Sequence, residues 1–107
     1  MSYFMIQASY TTQATASMIK NPQDRAAAVR PMIERMGGKL HGLWLAFGEF
    51  DVVVIAVMPD NVSAAAIAMA VGSSGAMSAY RTTPLLTVAE ATDAMKKAAA
   101  VGYQAPK

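Results

Sequence analysis

The 107-residue sequence predicts an α+β fold of the ferredoxin-like type, βαββαβ, with a four-stranded antiparallel sheet and an extra C-terminal helix. Three observations predict it: the order of strand-like and helix-like segments, a central hairpin that is apolar on both faces, and capping signals before three helices. We expect a single domain over residues 1–107. Its core is expected at about 3–86 and the terminal helix at about 87–102.

The first third of the chain predicts one strand and two helices. Tyr3–Tyr10 is rich in aromatic and branched side chains, which favours a strand, and Thr12–Lys20 favours a short helix. Asn21-Pro22 is typical of a helix start, because Asn caps a helix and Pro suits its first position. The second helix ends at Gly37-Gly38, and Pro31 inside it predicts a kink. Four residues spaced three and four apart form its apolar face: Val29, Met32, Ile33 and Met36.

The central hairpin is predicted from two apolar runs, Lys39–Phe47 and Phe50–Met58. Gly48-Glu49 between them is typical of a two-residue type II′ turn, which favours Gly first. Three cross-strand pairs follow from that turn: Ala46 with Asp51, Trp44 with Val53, and His41 with Ala56. Both faces of this hairpin are mainly apolar, so both must be covered. Helices can cover one face, and we expect a second copy of the chain to cover the other.

The second half predicts a helix, a strand and a terminal helix. Asp60 or Asn61 can cap a small, apolar helix that runs through Gly72. Ala76–Leu86 favours the fourth strand, with Pro84 near its end or at a sheet edge. Thr87 and Glu90 have the spacing of a capping box, which predicts the start of the last helix.

Composition excludes several classes of function. Hydrophobic residues make up 54% of the chain and charged residues 15%, which favours self-association into a homodimer or larger homo-oligomer. The net charge of +2 rests on cations spread along the chain, so nucleic-acid binding is not expected. Without cysteine there is no disulfide, thiolate metal site or Cys nucleophile. No apolar run reaches membrane-spanning length, and no secretion signal is present, so we expect a cytoplasmic protein and no membrane partner.

The segments above, taken in order and spacing, resemble the GYD-domain family, which is named for a Gly-Tyr-Asp signature. The matching pieces, which span about residues 3–86, are Tyr10-Thr11, Arg25, Gly37-Gly38-Lys39-Leu40, Gly48-Glu49-Phe50-Asp51, Pro59-Asp60 and Gly75. Phe50 stands where the signature Tyr is usual, and Pro31 interrupts the first long helix. The resemblance implies a ferredoxin-like fold of the dimeric α/β-barrel type. It leaves the chemistry open, because the members are largely of unknown function.

Asp51 is the first candidate for a catalytic residue. A carboxylate on an apolar strand face is costly to bury without a partner and could serve as a general base. The alternative is a structural role at the mouth of the hairpin. There it would accept backbone N–H groups or pair with Arg81 or Arg25. Glu49 is expected to be a solvated turn residue.

His41 is the second catalytic candidate and the only histidine. A lone histidine can act as a general base or, as a remote possibility, as an axial haem ligand, but it cannot build a His-cluster metal site. The alternative is an ordinary, partly exposed side chain near the start of its strand. The sequence therefore implies no metal and leaves the cofactor unknown.

Four residues are candidates for ligand contact: Trp44, Tyr10, Tyr80 and Arg81. Trp44 shares its predicted face with small residues, which leave room either for a flat ligand or for the close approach of another sheet. The two tyrosines and Arg81 could supply polar groups to such a pocket, and the sequence leaves open which face of the sheet they lie on. The many methionines are expected mostly as flexible core filler.

No phosphate-binding loop, nucleophile elbow or zinc-protease motif is present. The leading hypothesis is an oligomeric small-molecule-binding protein, with an apolar pocket between sheet and helices or at the subunit interface. The second is a cofactor-independent enzyme, monooxygenase- or isomerase-like, with Asp51 or His41 as base. The third is a structural or regulatory assembly module.

Overall fold

The computed structural model describes residues 1–107 as four strands and four helices. In chain order they are β1 (Ser2–Tyr10), α1 (Thr12–Lys20), α2 (Arg25–Arg35), β2 (Lys39–Leu45), β3 (Val52–Met58), α3 (Asn61–Gly72), β4 (Met77–Leu85) and α4 (Val88–Ala99). The strands form one antiparallel sheet in the order β2-β3-β1-β4. This order confirms the α+β, ferredoxin-like arrangement with an additional C-terminal helix.

The sheet has two unlike faces, because successive side chains of a strand point to opposite sides. In β3 the side chains alternate strictly between buried and half-buried. The buried set faces the helices, and we call this side the helix face; the opposite side is the open face. The core has eleven buried residues, all apolar: Phe4, Ile6, Ala8, Ile33, Leu40, Val52, Val54, Ala56, Met58, Ala64 and Ile67.

The hairpin between β2 and β3 differs from its prediction at both ends. Trp44 pairs with Val53 as expected, but Ala56 pairs with Leu40 instead of His41, and the register shifts between Leu40 and Gly42. This bulge lets Leu40 lie buried on the helix face while Trp44, four residues on, stays on the open face. An unbroken strand would place both side chains on the same side.

The connection of this hairpin spans residues 46–51, so the expected two-residue turn is wrong. A type II′ turn needs a positive φ at its first central residue, and Gly48 does not have one. One predicted contact is present, since the Ala46 N–H donates to the Asp51 carbonyl at 2.7 Å.

Helix α2 begins at Arg25, later than the Asn21-Pro22 start that the sequence favours. The Asp24 carboxylate accepts the Ala27 N–H at 3.2 Å and so provides the cap. Pro31 lies within the helix with its ring exposed, and the helix continues past it to Arg35. Its missing N–H therefore does not end the helix.

The other two caps confirm their predictions. Asp60 accepts the Ser63 N–H at 2.7 Å before α3, and Thr87 with Glu90 forms a reciprocal capping box before α4.

Helix α4 has no buried residue, and the radius of gyration is 17.0 Å, against about 13 Å for a compact chain of this length. The terminal helix therefore projects from the domain. No helix combines the length and apolar character that crossing a bilayer requires.

Candidate functional site

A cavity of about 250 Å³ lies between the helix face of the sheet and helices α2 and α3. Sixteen of its eighteen lining residues are hydrophobic. The sheet contributes its floor, which includes Ala8, Val52 and Val54. The helices contribute walls that include Val29 and Ile33 from α2. The chain thus contains an apolar space on the side where a pocket between sheet and helices was predicted.

Small side chains help to create this space. Ala8 lies on the helix face of β1, near the end of the strand, and is only 1% exposed, yet its methyl group fills little volume. Ala28 from α2 and Ala70 from α3 also line the cavity. Protein interiors are otherwise packed nearly as densely as organic crystals. The small Ala8 side chain therefore helps to explain the space next to the sheet, and Ala28 and Ala70 are exposed residues at its helix side.

The cavity includes a small number of polar side chains. Tyr10 and Tyr80, both predicted as ligand contacts, are among the lining residues, together with Ser74. Burial raises the pKa of the Tyr80 phenol above its ordinary value of 10.0. Because a higher pKa favours the neutral form, Tyr80 offers a hydroxyl group and no charge at neutral pH.

Arg25 is the only charged residue that lines the cavity. Its Nη1 group donates to the Gln23 Oε1 atom at 2.8 Å, at the exposed end of the side chain. Its Nε atom is fully buried and has no hydrogen-bond partner. Arg25 also lines an open groove beside α1, so its side chain stands between the cavity and the surface.

Asp51 lies outside the cavity, in a separate open groove with Tyr10 and Leu45. Its Oδ2 atom accepts the Tyr10 backbone N–H at 3.0 Å, next to a register shift between Ser9 and Tyr10 in β1. The shift disturbs the strand ladder, and the carboxylate satisfies the N–H group there. Ser9 adds a second hydrogen bond between β1 and the hairpin connection, because its hydroxyl donates to the Glu49 carbonyl at 2.9 Å. Asp51 thus holds the hairpin connection against the end of β1, as the structural alternative supposed.

His41 is exposed at the bulge in edge strand β2 and does not line the cavity. Its ring meets the Tyr3 ring edge-on, with centroids 6.2 Å apart. Asp51 lies beyond the opposite end of the β2-β3 pair. The structure therefore does not bring the two catalytic candidates together, and no group of three or more His, Asp and Glu residues is arranged to hold a metal ion.

The other two ligand candidates, Trp44 and Arg81, lie on the open face. The Trp44 ring covers Gly42 so closely that a Cβ at Gly42 would stand 2.5 Å from it. The space beside the small residue is therefore filled by the indole. Arg81 lies over the Phe50 ring, with its guanidinium carbon 5.3 Å from the ring centroid, in a cation–π arrangement. Phe50 thus provides an aromatic face at the position where the signature Tyr is usual.

Arg25 is the lining residue whose role the sequence reasoning missed. The predicted apolar stripe of α2 runs through Val29, Ile33 and Met36, and Arg25 precedes Val29 by one helical turn. Residues four apart lie on the same helix side. A cation at the start of an apolar stripe was therefore the available signal.

Comparison with known proteins gives one finding on family. The model of the GYD domain family matches residues 4–95 of the chain. No curated protein and no solved structure gives a significant match.

Proposed function

Because this chain belongs to the GYD domain family and contains a partly open apolar cavity of about 250 Å³, we propose that it is a self-associating protein that binds a small, mainly apolar molecule. The cavity is the observation that carries this proposal. Ligand sites are typically concave and apolar with few polar groups, and this space has that character. Tyr10 and Tyr80 supply the hydroxyl groups that would orient a ligand.

The cavity volume limits the size of that ligand. An engineered cavity of about 150 Å³ holds one benzene molecule, so a space of this volume accommodates roughly ten non-hydrogen atoms. This lies near the lower end of known ligand pockets. The ligand is therefore a small molecule and not a long lipid or a nucleotide.

Native mass spectrometry of the freshly purified protein tests the proposal. We expect a bound mass that disappears on denaturation and that an Ala8→Leu variant does not retain, since its larger side chain occupies the cavity. The matched control is Ala56→Leu, at a buried alanine of the helix face that does not line the cavity. If no bound molecule is found and no apolar compound of this size binds on titration, the proposal is wrong.

Self-association is supported by the open face. Trp44 is 55% exposed there, and the centre of β3 adds the half-buried Val53, Ile55 and Val57. A large contiguous apolar surface is typical of an interaction site. A second copy of the chain that packs sheet against sheet would cover it, which is the arrangement of a dimeric α/β barrel.

Helix α4 is a second surface without cover in the single chain. Val88 and Met95 lie on one side of this helix and are 86% and 68% exposed. An isolated helix of this length is only marginally stable in water, so tertiary packing normally supplies its stability. Contact with a second copy would provide that packing.

Sedimentation velocity at micromolar concentration tests this part of the proposal. We expect the wild-type chain to sediment as a dimer or larger species. Val53→Asp should shift it toward the monomer, because it would bury a charge between two sheets. Val62→Asp is the matched control, since Val62 is exposed in the first turn of α3, where a carboxylate is favoured. A monomeric wild-type chain would contradict the proposal.

The two other hypotheses remain predictions with their own tests. A cofactor-independent enzyme would lose turnover in Asp51→Asn or His41→Ala, and turnover that survives both unchanged would exclude those residues as bases. An assembly module would self-associate without any bound molecule. Its dimer would stay intact in Ala8→Leu and dissociate in Val53→Asp.

A further inference from the structure

Arg25 places a positive charge at the edge of a space that is otherwise apolar. None of the other lining residues is charged, and no carboxylate shares the cavity. The only side-chain hydrogen bond of Arg25 is the one to Gln23, which binds the Nη1 end. The guanidinium therefore keeps donors that the protein itself does not use.

The unpaired cation is the decisive observation, because the lining of the cavity holds no carboxylate to pair with it. The Nε atom of this side chain also has no hydrogen-bond partner although it is excluded from solvent. A buried donor without a partner is unfavourable, more so on a charged group, and native proteins contain few of them. An anion bound in the cavity beside Arg25 would pair with the charge of this side chain.

The geometry of arginine indicates which acceptor fits best. A guanidinium presents parallel N–H groups that match the two oxygens of a carboxylate. Two guanidinium nitrogens form such a fork, and Arg25 is the one charged residue that lines this apolar space. From these contacts, and given the proposed function, we propose that the ligand is a small apolar carboxylic acid, bound with its carboxylate at Arg25 and its hydrocarbon part in the cavity.

Two probes of matched size separate this inference from the proposed function. Octanoate and octanamide each have about ten non-hydrogen atoms, as many as the cavity accommodates. They differ in charge and hardly in shape. Isothermal titration of the full chain at neutral pH measures both affinities. We expect octanoate to bind at least about tenfold more tightly, with a preference that shrinks at high salt.

Variants of the arginine assign this preference to its side chain. Arg25→Met keeps most of the apolar stem and removes the charge. The affinity of this variant for octanoate should fall to its affinity for octanamide. Arg25→Lys should keep part of the preference, because it keeps the charge without the fork. Arg30→Met is the matched control, at an exposed arginine of α2 that does not line the cavity, and should bind both probes as the wild type does.

The possible outcomes are distinct. Equal binding of the two probes to the wild-type chain would overturn the carboxylate inference and leave the apolar site intact. Preference for octanoate that persists in a folded Arg25→Met variant would also overturn it. If that variant fails to fold, the ratio of the octanoate and octanamide affinities of the wild-type chain, and the salt dependence of this ratio, still test the inference. Binding of neither probe would overturn the inference, and a neutral compound that co-purifies would then preserve the proposed function alone.

Discussion

Ala8→Leu and Ala56→Leu should have opposite effects on stability if the cavity is available space. Both alanines are almost fully buried on the helix face, at 1% and 0% exposure, but only Ala8 lines the cavity. Ala56 lies between Phe4 and Leu40 on neighbouring strands, both of them buried. The same three added carbon atoms therefore enter an open space in one variant and a filled layer in the other.

The expected magnitudes follow from the two environments. In the cavity, three buried carbons contribute up to about 2 kcal/mol, and fixing the leucine side chain costs about 0.5–1 kcal/mol, so the free energy of unfolding should rise by about 1 kcal/mol. At Ala56, overpacking should lower it by about 1–3 kcal/mol. For a domain of this size, 1 kcal/mol corresponds to roughly 4 °C in Tm. We expect Ala8→Leu near roughly +4 °C and Ala56→Leu between roughly −4 and −12 °C.

Differential scanning calorimetry and urea unfolding followed by circular dichroism measure both changes. The ligand-free protein should be used, because a bound molecule stabilises the folded wild type and would mask the gain in Ala8→Leu. If Ala8→Leu is destabilised as much as Ala56→Leu, the space between sheet and helices is not available to a side chain. The reasoning that assigns it to a ligand would then be refuted.

Two further predictions concern the frame around the cavity. Gly38→Ala should lower the free energy of unfolding by about 1–3 kcal/mol, because its Cβ would stand 2.6 Å from the Val57 carbonyl oxygen; Gly72→Ala, with open space around it, is the control for urea unfolding. The hydrogen bond from the Ser63 N–H lowers the pKa of the Asp60 carboxyl below its ordinary value of 3.8. The charged carboxylate therefore stabilises the fold fully above pH 3.8, and this stabilisation is lost as the pH falls through the lowered pKa. Asp60→Asn should keep a helix cap, but the midpoint of its urea unfolding should fall less than that of the wild type between neutral pH and about pH 3. An equal fall in both proteins would contradict this.

The fold could be predicted because its signals are local. β3 is an unbroken run of seven apolar residues, and such a run between an acid and a proline indicates a strand that is covered on both faces. The caps at Asp60 and at Thr87 with Glu90 act within three residues of their own backbone. Such contacts depend little on the rest of the molecule. The sequence therefore indicated the correct order of elements.

The misplaced features depend on contacts that are distant in sequence. The bulge at His41 follows from the need to bury Leu40 beside Ala56. The hairpin connection is held by the bond between Asp51 and Tyr10, 41 residues apart, and not by a local turn. Tyr10 lies outside the hairpin, and the position of the bulge depends on which face of the hairpin the helices cover. The start of α2 is a different case, because Asn21 and Asp24 can each cap a helix, and the structure uses Asp24.

The sequence named Tyr10 and Tyr80 but did not determine which face of the sheet they lie on, because a shift of one residue along a strand reverses the facing. In the structure both line the cavity. Trp44 and Arg81 were grouped with them as ligand contacts, but they lie on the opposite side of the sheet. The cavity itself depends on how far α2 and α3 stand from the strands. No pattern within a single segment specifies that distance.

The alternation of the sheet also makes the two parts of the proposed function separable. Each strand contributes neighbouring residues to opposite faces: Val52 lines the cavity, whereas Val53 lies on the open face. A substitution at one position therefore leaves the chemistry of the other face unchanged. Ligand binding should be lost in Ala8→Leu without loss of self-association, and self-association should be lost in Val53→Asp. A cavity enclosed within one subunit should still bind its ligand in that monomer, whereas a site completed by the second copy would lose the ligand together with the dimer.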